Sequence, residues 1–369
     1  MEKWDLAAIT RQFLPDGSFT AGKPYGSGHI HDTFLIETSK TPYILQRINH
    51  YIFTNPPLVM DNITRVTCHI ARKLKNEGLP KEEISRRVLT VIPTVNGDSF
   101  YKDSTGNYWR VYRFISNSGS HDVLTSTHQA YQAAFIFGRF LDQVRDLPDP
   151  PLYETIPGFH NGRKRLADFL QSVAMDSCNR AASARKEIDY VMANASMFEV
   201  FPRLVLSNQI PVRVTHNDTK INNVMVDEKT GNAICVIDLD TVMPGLSLYD
   251  FGDLARTTLC PLEEDERDLS KVQIQLPIFE AILKGFLDGA AGSFTALERD
   301  YLVFSTKFMA QIIGVRFLTD YLNGDTYFKI HREGQNLDRA RRQFKQVLSI
   351  IENEDRMEAL VYPLRGGLL

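Results

Sequence analysis

The chain has 369 residues, 43% of them hydrophobic and 24% charged, the profile of a globular protein long enough for two lobes. Its 42 Lys and Arg against 45 Asp and Glu give a formal charge of −3 with no basic block, so no nucleic-acid partner is indicated. The four cysteines, Cys68, Cys178, Cys235 and Cys260, are scattered, which argues against a zinc site or a disulfide framework and for reduced thiols in a cytosolic protein.

The opening Met1-Glu-Lys-Trp-Asp5 shows no apolar core before a cleavage site, so no signal peptide is expected. No stretch approaches about 18 consecutive apolar residues, so no membrane partner is expected either. Asp32–Glu37 and Tyr43–Ile48 read as strands around a Ser-Lys-Thr-Pro turn. Over 56–76, Val59, Met60, Ile63, Val66, Ile70 and Leu74 fall on one helical face. Segments 99–102 and 108–114 flank Asp103-Ser-Thr-Gly-Asn107, a hairpin signal. From about residue 120 the pattern turns helical, with helices predicted over 129–145, 166–184 and 188–204. A strand-rich island follows at 211–239, where 223–227 and 233–239 bracket a Gly-containing turn. Thr295-x-x-Glu298 resembles a capping box before an apolar run to Leu322, and Asn323-Gly324 is a stop signal. This layout predicts an α+β chain: a small β-rich lobe over 1–114 and a large, mostly helical lobe over 115–369.

Chemistry concentrates in Val214-Thr-His-Asn-Asp-Thr-Lys-Ile-Asn-Asn-Val224. The spacing His216-x-Asp218-x-x-x-x-Asn223 is the catalytic-loop pattern of kinases. Phosphoryl transfer passes through a loose transition state, so catalysis is mostly positioning and charge stabilisation. A carboxylate at the attacking hydroxyl orients it and accepts its proton, a role for Asp218. The amide oxygen of Asn223 and the carboxylate of Asp238 suit Mg2+, which prefers one or two carboxylates plus phosphate oxygens. Lys220 is placed to meet a γ-phosphate as a point charge, and His216 to brace the loop. The competing reading is a polar turn whose Asp and Asn make only turn hydrogen bonds.

His216–Asn223 and Ile237-Asp238-Leu-Asp240 resemble the phosphotransferase family that includes aminoglycoside, choline, homoserine and methylthioribose kinases. The resemblance implies a protein-kinase-like bilobal fold, with a small antiparallel-sheet N-lobe and a helical C-lobe, and the use of ATP and Mg2+. Pro244–Arg256 also resembles the family, where an acid in this region braces the catalytic loop; Asp250 is the first candidate and Asp253 the second, against a plain helix cap. Tyr25-Gly-Ser-Gly-His-Ile30, Tyr43–Gln46, Trp109–Tyr112, Val214–Asn223, Ile237–Gly245 and Arg316-Phe-Leu-x-Asp-Tyr321 through Phe328 are more closely similar to the N-acetylhexosamine 1-kinases. That likeness spans nearly the whole chain, although at His31 the subfamily often carries Asn. It implies transfer of the ATP γ-phosphoryl to the anomeric hydroxyl of N-acetylglucosamine or N-acetylgalactosamine. It also points to Arg316 and Tyr327 as sugar-binding positions, with His29 as a further contact. An i,i+4 ion pair between Arg316 and Asp320 is the alternative.

On the nucleotide side, Gly26, Ser27 and Gly28 either cover phosphates with backbone N–H groups or form a flexible turn. Kinases place a Lys on the next strand, paired to a helix Glu. Here Gln46 and Arg47 stand on that strand, and the helix over 56–76 offers Asp61 but no Glu. Neighbours on a strand point to opposite faces, so only one of the two lines the cleft, and Gln46 is the choice. Phe114 and Ile115 are expected to present backbone groups to adenine. Phe159-His160-Asn161 lies between predicted helices as a candidate for the pocket border. A kinase for choline, homoserine or an aminoglycoside, and a catalytically dead nucleotide sensor, remain as rival readings.

Overall fold

The structure is a computed structural model and describes residues 4–13, 18–26, 30–121, 123–124 and 126–365. It divides into two compact units. The first comprises Met1–Ser120, Gln143–Pro157 and Val224–Met243, and the second His121–Asp142, Gly158–Asn223 and Pro244–Leu369.

In the first unit, α1 (Leu6–Thr10) is capped by Asp5, whose carboxylate accepts the Ala8 N–H at 2.9 Å. Strands β1 (Phe19–Pro24), β2 (Asp32–Thr38) and β3 (Tyr43–Ile48) are followed by α2 (Pro56–Asn76) and α3 (Lys81–Arg87). Then come β4 (Val91–Ile92), β5 (Tyr101–Lys102), β6 (Tyr108–Arg113) and β7 (Ser118–Gly119). The sheet order is β1-β2-β3-β6-β4, with β5 also on β6, and these pairings are antiparallel. Leu6, Ile9, Phe13, Ile36, Leu45, Trp109 and Val111 form a core on one sheet face. The apolar stripe of α2 is buried at all six predicted positions, and proline opens the helix, where its missing N–H costs nothing.

Two later segments join this unit through polar side chains, one of them buried and the other a half-buried pair. The Asn62 amide donates to the carbonyls of Tyr153 (2.8 Å) and Val242 (3.0 Å) and accepts the Tyr153 N–H at 3.0 Å. Arg86 pairs with Asp227 at 2.7 Å, at the end of the hairpin formed by β9 (Val224–Asp227) and β10 (Ala233–Val236).

The second unit carries α4 (Thr127–Val144), α5 (Gly162–Met175), α6 (Arg185–Ala193), α7 (Val200–Leu206) and β8 (Arg213–Thr215). After β11 (Met243–Gly245) come α8 (Ser247–Thr258), α9 (Leu276–Gly289), α10 (Ala296–Asp300), α11 (Leu302–Leu322), α12 (Gln335–Glu352) and α13 (Glu354–Arg365). Helix α11 is apolar all round and packs against α5, α8 and α12. By length and composition it qualifies as a membrane span, yet 78% of its most apolar window is buried inside the protein.

Three helix predictions need correction. The helix expected over 166–184 runs Gly162–Met175 instead. Asn161 caps its start, and Asp176 ends it in the left-handed region (φ 37°), its carboxylate taking the N–H groups of Arg180 and Ala181. The helix over 188–204 is broken at Asn194, whose side chain donates to the Tyr190 carbonyl at 2.8 Å. The capping box at Thr295 and Glu298 is formed, but it opens the short α10, and α11 starts afresh after Tyr301.

Candidate functional site

The loop between β8 and the 3₁₀ turn Ile221–Asn223 is pinned by two carboxylates of α8. Asp250 accepts the backbone N–H groups of His216 (2.8 Å) and Asn217 (2.7 Å), and its own carbonyl accepts the Thr219 hydroxyl at 2.6 Å. Asp253 accepts the Thr219 N–H at 3.1 Å and is itself held by Arg256 at 2.9 Å. Asn217 sits in the left-handed region (φ 64°), and the buried His160 ring meets its carbonyl at 2.8 Å. Burial first of all pushes the His160 imidazole down to about 4, so the ring is neutral and donates through Nε2. Gly245 abuts the same turn. A Cβ there would lie 2.3 Å from the Thr215 hydroxyl and 2.8 Å from the Asn217 side-chain oxygen.

These restraints present Asp218 between Lys220 and Asn223. The Lys220 ammonium lies 3.0 Å from Asp218 Oδ1, and the Asn223 amide donates to the Asp218 carbonyl (2.9 Å) and carboxylate (3.2 Å). Burial opposes the charge on Asp218, but Lys220, His216 and Arg256 outweigh it and hold the carboxyl below its usual range. Asp218 in turn raises the Lys220 ammonium. His216 is fully buried, edge-on to Phe137 and Phe140, and its Nδ1 accepts the Asp218 N–H at 3.3 Å. It therefore shapes the loop from behind. Asp250 is under opposing pressures: burial pushes its carboxyl up to about 7, while its two N–H bonds favour the ionised form.

In the first unit, β10 ends at Val236 and the chain enters a tight turn at Asp238 (φ 59°, ψ 60°), followed by the 3₁₀ turn Leu239–Thr241. Leu239 and Asp240 are buried and Asp238 faces solvent. His31, Asp238 and Asp240 offer ligand atoms within 4.8 Å of one another. Both oxygens of Asp240, however, are taken by Arg110 of β6 at 2.7 Å each. His31 Nδ1 accepts the Asn49 N–H at 3.0 Å, and its Nε2 lies 3.5 Å from Asp240. Asp238 is thus the carboxylate presented outward, a hard oxygen donor of the kind Mg2+ takes.

Gln46 and Arg47 point to opposite faces, as strand alternation requires. Arg47 pairs with Asp32 at 2.5 Å and lies over Trp4. Both ends of the Gln46 amide are engaged: its oxygen accepts from Arg110 at 3.0 Å, and its nitrogen donates to Thr33 at 3.0 Å. Gly26 adopts φ 77° with open space around it, while Ser27, Gly28 and His29 lie outside the described residues. The Phe114 ring meets Tyr25 edge-on at 5.8 Å, and the buried Ile115 gives its carbonyl to the Ser118 hydroxyl.

A family model described as phosphotransferase enzyme family, APH, matches residues 21–280, more than half of the chain. The chain belongs to this phosphotransferase family. Among solved structures it is similar to an aminoglycoside phosphotransferase from Alicyclobacillus acidocaldarius subsp. acidocaldarius DSM 446, with TM-score 0.60 and 13% identity over 97% of this chain and 98% of that one. It is also similar to a spectinomycin phosphotransferase in complex with ADP and spectinomycin (TM-score 0.57, 13% identity, 96% and 100% covered). A choline/ethanolamine kinase family protein from Mesorhizobium loti matches with TM-score 0.55 and 14% identity, over 96% of this chain and 97% of that one. At such identities the likeness concerns the fold: an antiparallel sheet in the N-terminal region and a helical C-terminal region.

In this phosphotransferase, Arg316 of α11 and Tyr327 meet within the helical unit, 3.4 Å apart. The Arg316 guanidinium lies over the rings of Phe159 (4.6 Å), Phe328 (5.5 Å) and Tyr327 (5.6 Å), and no ion pair engages it among the described residues. The alternative pair with Asp320 does not form. Asp320 instead accepts the N–H groups of Thr326, Tyr327 and Phe328 and so fixes their loop. Phe159 and His160 therefore join this cluster to the catalytic loop: one ring lies under Arg316, the next donates to Asn217. The sequence assigned no role to Arg110 or Gly245, and it marked His160 only as a candidate for the pocket border, not as a partner of the catalytic loop. For Arg110 the available signal was an Arg set between Trp109 and Val111 inside a strand segment.

Proposed function

We propose that this phosphotransferase moves the γ-phosphoryl of ATP onto a hydroxyl of a small molecule, and that the acceptor is the anomeric hydroxyl of N-acetylglucosamine or N-acetylgalactosamine. The observation that carries the reading is Asp218, kept ionised between Lys220 and Asn223 on a loop pinned by Asp250 and Asp253. A carboxylate in that state orients an acceptor hydroxyl and takes its proton as the oxygen bonds to the γ-phosphorus and the bond to ADP breaks. The proton rests on Asp218 and ADP leaves. Lys220 offsets charge on the transferring group. Asn223 of the second unit, whose amide nitrogen is turned to Asp218, and the outward-facing Asp238 of the first would each offer an oxygen to Mg2+; when bound, the ion would neutralise phosphate charge. The Gly26, Ser27 and Gly28 loop covers the phosphates, backbone groups of Phe114 and Ile115 meet adenine, and Gln46 acts through Arg110.

The acceptor assignment rests on the resemblance to N-acetylhexosamine 1-kinases and on the character of the Arg316 cluster. Its aromatic rings are covered by the protein's own guanidinium, with Arg165 close enough to be lowered, after burial, by Arg316. A cationic acceptor such as choline or an aminoglycoside would meet positive charge there. A neutral sugar finds donors for its hydroxyl and acetamide oxygens in Arg316 and Tyr327, with His29 as a further contact. Incubation with Mg-ATP and each N-acetylhexosamine, followed by ³¹P NMR, should show a sugar 1-phosphate. Turnover of some other alcohol but neither sugar overturns the acceptor and leaves the kinase. ATP binding without transfer to any acceptor across a broad panel overturns both and marks a sensor.

A further inference from the structure

Arg110 is the most deeply buried guanidinium of the first unit at 1% exposure, and every polar edge of it is spoken for. Its fork grips both oxygens of Asp240, which is equally buried, and its Nε donates to Gln46, the residue opposite it across the β3–β6 ladder. Gln46 passes the chain of bonds on to Thr33 of β2. His31 approaches Asp240 from a further side and is itself fixed by the Asn49 N–H. The Tyr112 ring covers the guanidinium at 5.2 Å. A lone buried charge of either sign would cost several kcal/mol, so each member of the Arg110–Asp240 pair obliges the other.

Asp240 stands two residues beyond Asp238, inside a turn that begins with a non-glycine residue in the left-handed region. That conformation costs about 1–2 kcal/mol and persists only where the surroundings over-determine it. The bidentate bond supplies the determination, because a planar fork fixes both distance and plane of the carboxylate it holds. With Asp240 and Leu239 locked inward, Asp238 is left pointing outward.

We infer that Arg110 is a positioning residue for the cation ligand Asp238: through Asp240 it sets the 238–241 turn, in place of the missing strand Lys and helix Glu, and it does not itself contact the nucleotide phosphates. This rests on the reading of Asp238 as a metal ligand. A guanidinium already closed by a carboxylate and an amide has no free edge for phosphate. The buried charge therefore serves the metal rather than the nucleotide.

The test uses the full chain and Mn2+ as probe, read by electron paramagnetic resonance of free Mn2+ in saturating ADP, with metal-free ADP affinity measured by calorimetry. Arg110→Lys keeps the charge but loses the fork. It should weaken Mn2+ binding about 10–100-fold, the range for outer-shell partners of metal ligands, and leave metal-free ADP affinity within about twofold. A second variant guards against misfolding. Arg110→Met with Asp240→Leu replaces the pair by apolar groups of similar size, a change that often preserves stability. It should fold and still bind Mn2+ weakly. Wild-type Mn2+ affinity in either variant overturns the inference, as does weakened metal-free ADP binding with Mn2+ affinity intact. If the wild-type protein binds Mn2+ in this Arg110-dependent way but transfers phosphate to no acceptor, the proposed activity fails and the positioning role stands.

Discussion

The loop from His216 to Asn223 is held by its backbone, whereas the turn from Asp238 to Thr241 is held by a side chain. In the first, Asp250 and Asp253 of α8 accept three consecutive-region N–H groups, those of His216, Asn217 and Thr219. In the second, the buried guanidinium of Arg110 grips Asp240 from β6, with His31 3.5 Å away on a further side. Backbone hydrogen bonds do not depend on which side chain the loop presents, so the chemistry at 216–223 sits on a frame that tolerates its charge. A buried ion pair specifies one partner, and its loss leaves a charge stranded. The two arrangements should fail differently.

The largest expected effect is on turnover. Asp218→Asn removes the proton acceptor and leaves the frame in place, so kcat should fall about 10²–10⁴-fold while the melting temperature changes little. Steady-state kinetics beside a thermal melt check this, and near-normal kcat refutes Asp218 as base. Next comes stability at the other turn. Asp240→Asn strands Arg110 and should cost about 3–5 kcal/mol in urea unfolding. Adding Arg110→Met to Asp240→Asn should recover much of that, and no recovery would mean the pair is not the source of the loss. At the loop, Asp250→Asn turns an amide NH2 toward a backbone N–H and should cost about 1–3 kcal/mol, with kcat falling more than the acceptor KM rises.

The smallest effect is a pH dependence. Burial raises the Asp250 carboxyl to about 7, above its ordinary value, so its contribution to stability is full below the unfolded pKa and is lost as pH rises through about 7. Turnover runs the other way. Only the ionised carboxylate accepts both loop N–H groups, so kcat should climb through about 7 with an acid limb that Asp250→Asn abolishes. Asp218, held below its usual range, stays ionised across that window and contributes no limb there. Persistence of the limb in the Asp250 variant would assign it elsewhere.

Much of the architecture was legible because its signals are local. Strand 43–48 and helix 56–76 fall where period and an opening proline place them. The helices expected over 166–184 and 188–204 miscarried because Asp176 and Asn194 recruit backbone groups with their side chains, and apolar spacing carries no trace of that. The same divide runs through the site. The catalytic loop reads as a motif because Asp218, Lys220 and Asn223 lie within six residues. Arg110 and Asp240 lie 130 positions apart, and only folding brings a strand cation to that acid. Gln46 was correctly placed on the opposite face from Arg47, but its partner Arg110, across the ladder, was invisible to a reading along the strand.

Gly245 turns these distances into a rule for anyone diversifying the protein. With Thr215 and Asn217 closed around its α-carbon, a saturation library over 243–246 should return a single amino acid at the third codon among active clones, while neighbouring codons drift. Retuning the acceptor preference by recombination should therefore cut the gene on either side of this position and never through it.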